Sequence, residues 1–186
     1  MIKTKQKLRE RFLEKRKLLL SDWVKRNSEK INRRLLSFPE IFGRRNFSVY
    51  LPINNEVDTK TLIDALLRKR VNIVVPSYSK ESRNYFWAKF LGWNNLEKGP
   101  FKILQPAKIF PVDSLQIEVA IIPGLCFSKT GTRLGYGKGV FDRLLKKTNA
   151  FKIGLAYDFQ IVDNLPKEIH DLAMDAIITE KRVIRS

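Results

Sequence analysis

The sequence predicts an α/β protein: a single three-layer α/β/α domain, residues 1–186, around a mostly parallel sheet. Three observations point there. Apolar β-branched runs at 71–76, 117–122, 151–157 and 174–179 are too continuous for strands with one wet face, and read as strands buried on both sides. Amphipathic segments of helical period separate them, as a parallel sheet requires. At 186 residues and 44% apolar content the chain can bury a substantial core, and it carries no internal repeat, low-complexity tract or linker.

In chain order, residues 3–20 read as a helix with Leu8, Phe12 and Leu19 on one stripe and no Gly or Pro. Eight Lys/Arg against Glu10 and Glu14 make it the most cationic element. Lys5 and Arg9, four apart, share a face and could grip one phosphate chain, or could simply be solvated. Ser21 and Asp22 suit the N-cap of a second helix whose buried stripe is Val24, Asn27, Ile31, Leu35 and Phe38; Pro39 and Gly43 end it. Residues 46–51 form a short strand stopped by Pro52. The loop I53-N-N-E56-V-D58 follows, and Asp58 or Thr59 can cap a helix running to Arg70. A loop just past a strand's carboxyl end is where α/β sheets bind ligands, so Glu56 is well placed; its alternative is a first-turn helix charge. After the strand at 71–76, residues 85–91 read as another, nearer an edge. Residues 92–108 lack periodicity and read as a long loop. Trp87, Trp93 and Phe101 are read as core or rim packing rather than a ligand-stacking set.

The stretch from Ile121 to Leu145, I-I-P-G-L-C-F-S-K-T-G-T-R-L-G-Y-G-K-G-V-F-D-R-L-L, is strand, glycine loop, helix. Glycines at 135, 137 and 139 let a ligand approach backbone N–H groups closely, and a helix starting at about Lys138 or Gly139 adds its positive end. Arg133 and Lys138 supply cations, and Asp142 in the first helical turn can bind Mg²⁺ or cap the helix. This reads as a phosphate site, although neither the dinucleotide fingerprint nor the P-loop spacing is met. The bland alternative is a glycine-rich connection with solvated charges. A last strand starts near Met174, after a turn at 163–166 and His170.

The net charge of +17 fits nucleic acid, a membrane surface or a small polyanion. Aromatics fall in strand-like runs rather than among Lys/Arg, which disfavours nucleic acid. No run approaches a membrane span, and the basic N-terminus lacks the apolar core of a secretory signal, so a cytoplasmic protein is expected. Cys126 is the only cysteine and His170 the only histidine, which leaves no nucleophile pair and no zinc spacing. Cys126 is expected to be buried and His170 structural.

R133-L-G-Y-G-K-G-V-F-D142-R, preceded by P123-G-L-C-F127 and Gly131, resembles the signature of the 5-formyltetrahydrofolate cyclo-ligase family, also called 5,10-methenyltetrahydrofolate synthetases. K5-Q-K-L-R9, L51-P-I-N-N-E56-V-D-T and H170-D-L-A-M-D175-A-I-I-T-E are similar to it as well, in family order and over nearly the whole chain. Val140 and Ser128 depart from it, standing where an aromatic and an acid are usual. The resemblance implies ATP contacts from Lys5, Arg9, Arg133, Leu134, Gly135, Tyr136, Gly137, Lys138, Gly139, Val140 and Phe141. It implies folate contacts from Ile53, Glu56 and residues 136–140, and Mg²⁺ held by Asp142 with Asp175. The implied reaction converts 5-formyltetrahydrofolate to 5,10-methenyltetrahydrofolate through a phosphorylated formyl group, releasing ADP and phosphate, with Arg133 and Lys138 as catalytic cations. ATP and a polyglutamylated folate are polyanions, in keeping with the charge, and a monomer is expected. The alternatives are a basic nucleic-acid-binding protein and an ATP-dependent kinase or ligase of another small anion.

Overall fold

The apolar runs pair into one eight-stranded, mostly parallel sheet. The structure, a computed structural model, describes residues 2–100, 103–146, 148–166 and 171–186. Its helices are α1 (Ile2–Lys17), α2 (Ser21–Leu36), α3 (Lys60–Arg68) and α4 (Val140–Leu144). Its strands are β1 (Asn46–Ser48), β2 (Asn72–Ser79), β3 (Asn84–Lys89), β4 (Leu96–Lys98), β5 (Leu104–Pro106), β6 (Pro111–Val112), β7 (Val119–Pro123), β8 (Cys126–Ser128), β9 (Arg133–Leu134), β10 (Phe151–Leu155), β11 (Ile161–Val162), β12 (Ala176–Ile178) and β13 (Val183–Arg185). The sheet order is β13-β12-β10-β7-β1-β2-β3-β6. Five central strands, from β12 to β2, are parallel, and antiparallel β13, β3 and β6 extend the two edges.

The order within the parallel set decides where a ligand can sit. From β1 the chain crosses through α3 to β2 on one side, then returns to β7 on the other side of β1. Connections leaving in opposite directions from two neighbouring strands open a crevice at their carboxyl ends. Here the switch point falls between β1 and β7, and the segments that follow them carry the Glu56 loop and the glycine loop.

Strand alternation builds two cores. Val119 and Ile121 of β7 face Ile31 and Leu35 of α2 and Leu62, Ile63 and Leu66 of α3. Ala120 and Ile122 face the other way, toward Trp87, Phe127, Leu144 and Leu145. All four β7 residues are fully buried, which is why this strand is apolar throughout.

Several local expectations change. Residues 92–108 hold the β4–β5 hairpin rather than an unstructured loop, organised around buried Gln105, whose Oε1 accepts from the Tyr78 N–H at 3.1 Å. Strands β6, β8, β9 and β13, each two or three residues long, are too short to show a period. Leu20, not Ser21 or Asp22, occupies the N-cap of α2, without a side-chain cap. Thr59 holds the N-cap of α3 as expected, but its hydroxyl donates inward to the Tyr50 carbonyl at 2.8 Å, and it is Asp58 that accepts from the Lys60 N–H, also at 2.8 Å. Trp87 is core, and Trp93 is half-buried, donating to Asp64 at 2.7 Å. Phe101, Lys147 and His170 lie outside the described residues. Among the described residues no helix is long and apolar enough to cross a membrane.

Candidate active site

Helix α1 lies with one face against the glycine loop. Lys5, Arg9, Phe12 and Arg16 recur at the spacing of one helical stripe, and Lys5, Phe12 and Arg16 are buried, Arg16 to 1% exposure. The inward face is therefore cationic as much as apolar; of the expected stripe, Phe12 is buried while Leu8 and Leu19 are half-buried. Arg9 donates from Nε to the Gly135 carbonyl at 3.0 Å. Its guanidinium also lies 3.2–3.4 Å from where a Cβ on Gly137 would stand, and Gly137 has φ +91°, so this position needs glycine on both counts. Lys5 pairs with Asp171 at 2.8 Å. Arg9 thus comes to the loop, while Lys5, one turn earlier on the same stripe, faces the segment before β12.

The loop after β1 is built around Glu56. Asn54 and Asn55 take left-handed φ values of 49° and 55°, which asparagine tolerates, and so turn the chain back on itself. The Glu56 N–H donates to the Ile53 carbonyl and the Ile53 N–H donates to Glu56 Oε2, both at 3.0 Å. The Tyr136 hydroxyl, from the glycine loop, donates to Glu56 Oε1 at 3.1 Å. Arg16 donates from Nη2 to the Tyr136 hydroxyl, and its Nη1 lies 3.7 Å from Glu56 Oε1. Nη1 also reaches the Gly124 carbonyl, at the carboxyl end of β7, at 3.4 Å. Burial raises the Glu56 pKa, while the Arg16 charge and the hydrogen bonds from Ile53 and Tyr136 oppose the rise. Burial likewise pushes Tyr136 up to about 12, so its hydroxyl stays protonated.

On the other side of the glycine loop, Arg133 holds Asp142 with both carboxylate oxygens accepting from Nη2, at 2.8 and 3.0 Å. Its Nη1 donates to the Pro123 carbonyl at 3.3 Å, and the guanidinium lies over the Phe141 ring. Leu134 is buried beside Phe12, Leu125 and Cys126. Lys138 is exposed, and its carbonyl accepts from Arg143. Gly139, at φ +60°, is the N-cap of α4, whose first helical residue is Val140; Val140 and Phe141 are half-buried.

The two carboxylates expected to share a metal are not brought together. Asp142 is tied through Arg133 to Pro123, at the carboxyl end of β7. Asp175 precedes β12, where it accepts from the Lys152 N–H at 2.7 Å. Lys152 pairs with Ala120, three residues before Pro123, which is about 10 Å along the strand at about 3.3 Å per residue. Asp175 therefore sits toward the amino ends of the parallel strands, too far from Asp142 for both to bind one Mg²⁺. Asp142 alone stands at the loop, and among the described residues no three His, Cys, Asp or Glu side chains cluster as a metal cage. Cys126 is buried, as expected, and burial pushes its thiol up to about 12.

Arg16 is the site residue that sequence reasoning missed. Its signal was the 5, 9, 12, 16 spacing, masked by seven other cations in the same segment.

The model of the 5-formyltetrahydrofolate cyclo-ligase family matches residues 1–180. The chain belongs to that family. Among relatives, the 5-formyltetrahydrofolate cyclo-ligase of Escherichia coli (strain K12) is 27% identical over 178 residues, covering 91% of this chain and 97% of that protein. The one from Mycoplasma genitalium is 33% identical over 157 residues, with 81% and 82% coverage. The solved structure of Aquifex aeolicus 5,10-methenyltetrahydrofolate synthetase superposes with a TM-score of 0.87 at 34% identity, covering 97% of this chain and 92% of that one. The Mycoplasma pneumoniae synthetase gives 0.77 at 27% identity, covering 95% and 98%. In this member of the family, then, α1, the Glu56 loop and the glycine loop meet at the switch point, and Tyr136 joins the two loops.

Proposed function

We propose that the protein converts 5-formyltetrahydrofolate to 5,10-methenyltetrahydrofolate with cleavage of ATP to ADP and phosphate, as a cytoplasmic monomer of one domain. The observation that carries the reading is the Tyr136 bridge. It joins a phosphate-type loop faced by cations to a carboxylate loop at the same switch point, so that two ligands can lie end to end.

In this reading ATP lies along the glycine loop, with Lys5, Arg9, Arg133 and Lys138 supplying positive charge and residues 134–141 the surrounding contacts. The folate lies against Ile53, Glu56 and residues 136–140. Glu56, as a carboxylate, accepts hydrogen bonds from pterin N–H groups. The formyl oxygen attacks the γ-phosphorus and ADP leaves. N10 then attacks the formyl carbon and loses its proton, and the C–O bond breaks with phosphate as leaving group. Arg133 and Lys138 neutralise charge on the phosphoryl group during transfer, an electrostatic task that needs no covalent enzyme intermediate. Mg²⁺, which is normally held by one or two carboxylates together with phosphate oxygens, would take Asp142 from the protein and supply further neutralisation of the phosphates. The high positive charge suits ATP and a polyglutamate tail equally.

The test follows absorbance at the methenyl-folate band while protein, 5-formyltetrahydrofolate, Mg²⁺ and ATP are mixed. Growth of the band that requires ATP, and an Arg9→Ala variant whose KM for ATP rises tenfold or more, are expected. A flat trace from folded protein rejects the folate reaction.

A further inference from the structure

We propose that Arg16 is a positioning residue that keeps Glu56 ionised and fixes its orientation; the inference rests on the folate reading of Glu56. Burying a guanidinium is unfavourable unless its surroundings compensate, and apolar replacements of buried ion pairs are often more stable. Arg16 is 1% exposed, and its Nε has no partner. Packing alone does not explain a cation in that place. What the cation does have is the Glu56 carboxylate at 3.7 Å, and the Tyr136 hydroxyl that it orients. With that hydroxyl accepting from Arg16, its proton is directed at Glu56 Oε1. The Asn55 side chain donates to the Arg16 carbonyl at 2.9 Å, tying the Glu56 loop to the same turn of α1.

The other groups around Glu56 cannot replace the charge. Tyr136 and Tyr50 carry hydroxyls that burial keeps neutral. The Tyr157 hydroxyl donates to the Glu56 carbonyl rather than to its carboxylate. Asp58 is negative and accepts from the Lys60 N–H. Arg16 is the cation among them, and it acts against the desolvation that would protonate Glu56. A protonated Glu56 would turn a donor toward a pterin edge that itself donates. The helix that brings Arg9 to the glycine loop thus also sets the charge of Glu56.

The experiment measures kcat, the KM values for ATP and 5-formyltetrahydrofolate, and their pH profiles for wild type, Arg16→Gln and Arg16→Lys, with thermal melts alongside. Arg16→Gln is expected to raise the folate KM about ten- to hundredfold, as for loss of one charge-assisted hydrogen bond. Its ATP KM should change far less, and the acid limb of folate kcat/KM should move to higher pH. Arg16→Lys should return that limb toward wild type. A folded Arg16→Gln with an unmoved limb overturns the proposal. Should Arg16→Gln fail to fold, carbon NMR of the Glu56 carboxyl in wild type, assigned by its loss in Glu56→Gln, decides: an ionised group at neutral pH is expected, and a protonated one overturns the proposal. Wild type without folate turnover would sink the proposed reaction instead, and pH titration of the Glu56 carboxyl by carbon NMR in wild type and the Arg16 variants would still judge Arg16, an unmoved Glu56 titration in folded Arg16→Gln overturning the proposal.

Discussion

Replacing Gly154 of β10 with alanine would set a methyl carbon 2.6 Å from Phe127 Cε1 and 3.1 Å from its Cδ1 and Cζ. Carbon atoms rest at about 3.5–4.0 Å, so the overlap is about 1 Å. The ring has nowhere to go: it is fully buried, and on its other side a Cβ on Gly124 would stand 2.6 Å from Cζ. Overpacking of this kind costs about 1–3 kcal/mol. Alanine recovers about 0.4–1 kcal/mol by restricting the unfolded chain, since Gly154 is not in the left-handed region. The net expectation is a loss of about 1–2 kcal/mol, or a fall in Tm of about 2–8 °C at about 2–4 °C per kcal/mol for a chain of this size. Because Phe127 seats β8, whose partner β9 begins with Arg133, turnover should fall as well. Thermal melts of wild type, Gly154→Ala, Phe127→Leu and the double variant form a cycle. In it, Gly154→Ala should be less harmful in the Phe127→Leu background. An alanine variant that melts at or above wild type, or a cycle with no coupling, would refute the packing argument.

Three other outcomes are expected. Asp142→Asn should lower ATP-dependent turnover at least tenfold, while Asp175→Asn, remote from the loop, should retain most of it; a folded but inactive Asp175 variant would restore a role for that carboxylate. The Glu118 carboxylate accepts from the Arg45 and Asn46 N–H groups, and those bonds hold its pKa below the ordinary range. The stabilisation is therefore present above the unfolded-state pKa and lost as pH falls through the lowered folded one. Urea midpoints of Glu118→Gln should accordingly lie below wild type near neutrality and converge on it in acid, and parallel profiles would count against the assignment. Cys126, with its thiol at about 12 and no exposure, should resist a disulfide-forming thiol reagent in the native protein and react on denaturation; stoichiometric labelling of folded protein would contradict its burial.

The strands that stood out most in the sequence are those buried on both faces, with β3 readable as well from its aromatic run. Residues 119–122 fill two cores, so each position had to be apolar, and the run announced itself. Strands β6 and β13 pair at the two edges through two or three residues, and neither period nor composition marks so short a segment. The start of α2 was misread, whereas Thr59 does stand at the N-cap of α3 with Asp58 accepting from the Lys60 N–H; what local sequence could not show is that the Thr59 hydroxyl is drawn to the Tyr50 carbonyl, nine residues away. Lys5, Arg9, Glu56 and the glycine loop could be singled out because their motifs are local. Asp142 and Asp175 carried no mark of the strand end on which each would fall, and the parallel register separates them.

By itself the sequence determined the class of the fold and the family and singled out the glycine loop, since apolar period, glycine placement and short motifs are properties of neighbouring residues. The tertiary structure alone decided which of 36 cations are drawn inside. Arg16 is one of eight in its segment until α1 is laid across the carboxyl ends of β1 and β7; there the Gly124 carbonyl, the Tyr136 hydroxyl and the Glu56 carboxylate converge on it. Those partners come from positions 40 to 120 residues away in the chain, and the electrostatics of a buried charge depend on such neighbours rather than on sequence order.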